Sequence, residues 1–159
     1  MKPDRNLTHL RESRGAAAAT VPPMPVEGED LAAVARAYAA ALPARFDLVH
    51  LGLGPVGHTA SLVRGDPVPA ETSALIAVNR PCQGHRRMTL TYPALARAVR
   101  ILWLVTGADK QQPLAGLLSG DRSIPAGRVG AGHSLVMADA QEAERVRGVA
   151  PAHRDGDQG

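Results

Sequence analysis

Apolar positions along the chain follow two spacings, and the switches between them mark the expected elements. Over residues 31–42, Leu31, Val34, Ala35, Tyr38 and Leu42 fall at i, i+3, i+4, i+7 and i+11, one face of a helix. Asp30 stands where an N-cap belongs and Pro43 ends the run. Residues 46–54, FDLVHLGLG, then read as a strand bounded by glycines. Its leucines and valine occupy both parities, which predicts a strand buried between helices on each side. Further strands are predicted at 74–79, 87–91, 100–106 and 134–138. Helices are predicted at 92–98, 108–119 and 139–147, and a short one at 6–15. Thr91 followed by Pro93 is a helix start, and Asp139 is placed to cap the last helix. The segment 21–30 (VPPMPVEGED), with three prolines, is loop.

Strands alternating with helices predict an α/β domain with a mostly parallel sheet and right-handed crossovers. It spans residues 1–147, followed by a polar, flexible tail at 148–159. A chain of 159 residues that is 45% hydrophobic, with a net charge of +3, is too apolar to be disordered. Its longest apolar runs are broken by Arg36 and Arg45, so no membrane span is expected. The first residues lack the apolar stretch of a secretory signal, and the expectation is a cytoplasmic protein. Sixteen of the 18 cations are arginine, but they are scattered, and four aromatic residues offer little stacking surface. No nucleic-acid partner is expected. One cysteine, Cys82, excludes a disulfide framework, and the histidines lack ligand spacing, so no metal is assigned.

In a parallel sheet, ligands bind beyond the carboxyl ends of strands, which directs attention to residues 51–65, LGLGPVGHTASLVRG. Gly52, Gly54 and Gly57 match the spacing of a dinucleotide fingerprint. Only about six residues separate Gly57 from the breaker Arg64-Gly65-Asp66-Pro67, and position 77 is alanine where an acid is needed, so that reading is weak. Gly54 and Gly57 nonetheless permit a turn and a close approach of the backbone to a ligand. From the residues alone, His58 reads either as a histidine satisfied by nearby backbone or as a general base. A Ser-His-acid triad is disfavoured, since no G-x-S-x-G surrounds Ser61. His50 is expected in the core of its strand, and Trp103 in the core of the sheet.

FDLVHLGLGPVGHTASLVRG, then RRMTLT, then LWLVTGADK, in that order and spacing, resemble the 6-phosphogluconolactonases; the closing SLVMADAQEA agrees. The related glucosamine-6-phosphate deaminases share the family's Asp-Gly-His core but continue it differently. The resemblance covers about residues 6–145. It implies a Rossmann-like fold and hydrolysis of 6-phospho-D-glucono-1,5-lactone, a sugar-phosphate lactone, without cofactor or metal. It places His58 at the water-activating histidine, and Arg87 and Lys110 at substrate-binding positions suited to phosphate or carboxylate. Gly54 and Gly57 complete the expected substrate site. Arg86 is a weaker candidate, on the opposite strand face. Two departures accompany the resemblance. The family's Asp-Gly-His reads Val56-Gly57-His58 here, and the family's earlier strand, with its Gly-Gly-Ser/Thr phosphate loop, is not matched. The sheet is therefore expected to be incomplete on its N-terminal side, leaving an edge through which copies self-associate. A non-catalytic relative that binds a sugar phosphate or a partner, and a deaminase or isomerase, are the alternatives.

Overall fold

The computed structural model describes residues 22–26, 29–81, 86–130 and 132–139. The predicted helix at 6–15, Cys82, the helix after Asp139 and the tail lie outside these residues.

Helix α1 (Leu31–Ala40) begins where the sequence indicates, with the Asp30 carboxylate accepting from the Ala33 amide at 2.9 Å. It buries Leu31 and Ala35 and packs with Ile76 and Met88. Those two residues belong to strands β2 (Ile76–Val78) and β3 (Met88–Leu90), separated in the chain from α1 by β1 (Phe46–Gly52). Thr91 caps the short α2 (Tyr92–Leu95) by accepting from Ala94, and its hydroxyl also donates to the Ala74 carbonyl. Strand β4 (Ala98–Val105), helix α3 (Gln111–Ser119) and β5 (Ser134–Ala138) complete the described elements. Gly120, at φ +67°, ends α3 in the left-handed conformation that lets the Asp121 amide reach the Gly116 carbonyl at 2.8 Å.

Strands β1, β4 and β5 form a parallel sheet in that order. β2 and β3 do not join it. They pair with each other, antiparallel, as a separate two-stranded sheet. The expected mostly parallel sheet is thus present, and two of the five predicted strands stand beside it. Ile76, Val78, Met88 and Leu90 pack with α1, so the period-two pattern was satisfied by a different partner.

Both crossovers of the parallel sheet lie on one face. Leu62, Val68 and Leu95 from the first connection, and Leu114, Leu117, Ala126 and Val129 from the second, share one cluster with Val49, Leu51, Ile101, Trp103 and Val105. Successive right-handed crossovers in the same direction must lie on the same side of a sheet, so this arrangement follows from the strand order. Trp103 and Leu62 are fully buried there. Truncating such an aromatic to alanine removes about 3–5 kcal/mol, comparable to much of a small domain's net stability.

The opposite face is bare among the described residues. Register pairs His50 with Leu102, Leu102 with Leu135, and Leu104 with Met137, so these residues and Leu48 share that face. Leu48, Leu104, Leu135 and Met137 are 55%, 46%, 63% and 53% exposed. This corrects the expectation of two-sided burial for residues 46–54. It also corrects His50, which is exposed and not a core histidine. Trp103, on the covered face, is core as expected.

Candidate active site

β1 ends at Gly52, and the chain turns back immediately through residues 54–58. The Gly54 amide donates to the His58 carbonyl at 2.8 Å, and the Gly57 amide to the Gly54 carbonyl at 2.9 Å. Gly57 has φ +76°, and a Cβ there would lie 2.7 Å from the Ile124 side chain, so glycine is required twice over. Its carbonyl accepts from Ala126, tying the turn to the connection after α3. Thr59, fully buried, donates its hydroxyl to the Gly52 carbonyl at 2.9 Å and fastens the far side of the turn to the strand end. His58 is therefore held between two anchored residues.

The His58 imidazole lies directly against the Cα of Gly54; any side chain at position 54 would occupy the space of the ring. Gly54 and Gly57 thus serve this site by shaping the turn, with both their amides engaged inside it. Partial burial pushes the His58 pKa below its ordinary 6.5, and the positive charges of Lys110 and Arg87 push it further the same way. Both effects favour the neutral imidazole, which is the state a base needs. No described residue hydrogen-bonds the imidazole, and Val56, where an acidic acceptor would stand, is 68% exposed.

Arg87 immediately precedes β3 and is exposed; its carbonyl accepts from the Asn79 amide at 3.0 Å. Lys110 stands at the start of α3, where the turn at Gly107 (φ +103°) brings the chain round from β4. Its ammonium pairs with Asp109 at 2.6 Å, the lysine side chain only 16% exposed. The structure brings Arg87 and Lys110 within electrostatic reach of His58, so the three residues singled out in the sequence share one region. Arg86 reaches instead toward the Glu29 carbonyl, at 3.4 Å. His133 is exposed near β5, away from any metal-like group; no cluster of three ligating side chains occurs among the described residues.

One residue near this region carried no signal in the sequence. Asn79 is buried, and its amide nitrogen donates to the Ser61 carbonyl at 2.7 Å, while Thr89 accepts from the Ser61 amide at 3.1 Å. The Asn79 Oδ1 atom has no partner among the described residues. A lone asparagine at a strand end has no spacing to betray it.

The family model described as glucosamine-6-phosphate isomerases/6-phosphogluconolactonase matches residues 1–138. The chain belongs to that family. The 6-phosphogluconolactonase of Mycobacterium tuberculosis is 34% identical over 133 residues, covering 75% of this chain and 54% of that protein. The Mycobacterium leprae 6-phosphogluconolactonase is 34% identical over 146 residues, covering 80% and 59%. Among solved structures, 6-phosphogluconolactonase from Trypanosoma brucei superposes with a TM-score of 0.62 at 28% identity, covering 78% of this chain and 57% of that one. That from Thermotoga maritima gives 0.63 at 26%, covering 87% and 67%. A monomeric glucosamine-6-phosphate deaminase, 20% identical with a TM-score of 0.60, shares the fold. The chain spans somewhat over half the length of these mycobacterial relatives. The Rossmann-like α/β architecture expected from the sequence is the fold of these relatives.

Proposed function

We propose that this chain carries the catalytic histidine and part of the substrate site of a 6-phosphogluconolactonase, hydrolysing 6-phospho-D-glucono-1,5-lactone to 6-phospho-D-gluconate. The observation that supports it most is the His58 imidazole packed against Gly54 at the exit of β1, with Lys110 and Arg87 near enough to lower its pKa. In this reading the imidazole takes a proton from water as the oxygen attacks the lactone carbonyl. The resulting oxyanion collapses, the ring C–O bond breaks, and the leaving oxygen receives the proton back from the imidazolium. Arg87 and Lys110 hold the substrate phosphate or the carboxylate that forms, because a guanidinium and an ammonium both bind such oxygens well. No metal or cofactor enters the reading. This reading places the protein in the cytoplasm, where sugar-phosphate substrates are found; no described helix is long and apolar enough to cross a membrane.

The experiment is a steady-state lactone assay of the chain beside its Arg87→Ala and Lys110→Ala variants. If these cations bind substrate, each variant raises KM by roughly 10-fold or more, since a charge-assisted hydrogen bond contributes about 1.5–3 kcal/mol. Unchanged KM in both removes them from the site. The second reading, a relative that binds a sugar phosphate without turning it over, is favoured by Val56: an exposed valine cannot accept the hydrogen bond that an aspartate there would. Saturable sugar-phosphate binding without hydrolysis would establish it. The deaminase or isomerase alternative gains nothing from the 20% identity, which shows fold alone.

A further inference from the structure

On the covered side of the molecule, an open cleft of about 250 Å³ lies between the segment that follows the histidine turn and the connection from α3 to β5. Arg64, Arg122 and Arg128 line it, over a floor that includes Pro69 and Pro125, with Asp66 as its one carboxylate. None of His58, Arg87 and Lys110 contributes to it.

Two of these guanidinium groups, those of Arg64 and Arg128, are held by neutral partners. Arg64 donates to the carbonyl of Ser123, and Arg128 stacks over the Tyr92 ring at 4.9 Å from its centre. That ring is itself fixed, its hydroxyl donating to the Pro125 carbonyl at 2.9 Å. The carboxylates nearby are occupied elsewhere. Asp66 accepts from the amides of Val68 and Arg80, at 2.9 and 3.0 Å, and Asp121 from the amide and hydroxyl of Ser123, both at 2.8 Å. Arg64 does lie in the field of Asp121. No ion pair involving Arg64, Arg122 or Arg128 is formed among the described residues. Neither anchor, a carbonyl for Arg64 and an aromatic face for Arg128, neutralises its guanidinium as a paired carboxylate would.

We propose that this arginine-walled cleft is a binding site for the phosphate or diphosphate group of a small molecule, distinct from the His58 region. Several arginines lining one small concavity suit the tetrahedral oxygens of phosphate. A volume of about 250 Å³ accommodates such a group with a short attached fragment, and is below the usual range for a drug-sized ligand. The site does not depend on the lactone-hydrolysis reading.

Equilibrium dialysis of the full chain against labelled inorganic pyrophosphate at low ionic strength tests it, with inorganic phosphate as competitor. Arg122→Ala and Arg128→Ala should each weaken binding by about 5- to 10-fold, as expected for partly exposed charge-assisted contacts. Arg122→Lys should recover part of the loss, and Arg36→Ala, an exposed arginine on α1, should leave affinity unchanged. Circular dichroism of each variant separates lost binding from lost fold. Three results overturn the proposal: no saturable pyrophosphate binding by the folded chain, affinity unchanged from the parent chain in both alanine variants, or loss of binding on Arg87→Ala alone. The last would locate the anion in the His58 region instead.

Discussion

Gly54→Ala tests how the turn holds His58 without altering the histidine. Gly54 is not among the residues with positive φ, so alanine brings no backbone strain there. The whole effect comes from the new methyl, which takes the space where the imidazole lies against the Gly54 Cα. Because His58 is only half-buried, the ring can swing toward solvent, and the stability cost stays near the low end of overpacking, about 1 kcal/mol. For a chain of this size that lowers Tm by roughly 2–4 °C. The functional cost is larger. A misplacement of about 1 Å in a reacting group costs on the order of 10²-fold. Lactone hydrolysis, corrected for the spontaneous reaction, should therefore fall about 100-fold. Imidazole resonances followed by NMR should show the His58 pKa rising back toward 6.5, as burial and the two cations lose their hold. Adding His58→Ala to Gly54→Ala should lower the rate little further, because both changes remove the same group. Gly54→Ala with undiminished hydrolysis and an unshifted His58 titration would refute the geometry argued for this turn.

Three other outcomes follow. The pH profile of kcat/KM should have an acid limb with an apparent pKa below 6.5, since protonating His58 removes the base and its folded pKa is depressed; a limb above 6.5 would contradict the assignment. The same depression makes the folded chain bind fewer protons than the unfolded one, so His58 lowers stability as pH falls below about 6.5, which thermal melts between pH 5 and 8 can read. Replacing Leu135 and Met137 together by lysine should reduce self-association seen by size-exclusion chromatography, because both stand on the bare face of the sheet; unchanged association would place the contact elsewhere.

The elements were legible because their signals are local. Asp30 and Thr91 carry their caps in the adjacent sequence, and residues 134–138 form a strand with the predicted bounds. The glycine turn and His58 were legible for the same reason: a strand exit, two glycines and a histidine lie within seven residues. What failed was non-local. Leu48 and His50 sit in a run whose apolar residues occupy both parities, which reads as burial on both faces. Whether the second face is covered depends on elements far away in the chain, and both described crossovers chose the other side. The pairing of β2 with β3 was hidden likewise, since alternation specifies a half-buried strand but neither its partner nor its direction. Asn79 was invisible because burial of a single polar side chain is decided by the Ser61 segment folding over it.

The central claim is that His58 activates water for lactone hydrolysis. Its most direct test is the rate of 6-phospho-D-glucono-1,5-lactone hydrolysis by the chain and by His58→Ala, each measured at pH 7 with spontaneous hydrolysis subtracted. Turnover above the buffer rate is expected for the chain, and a loss of about 10²–10⁴-fold for the folded variant. Equal rates for the two proteins, above background or at it, would contradict it.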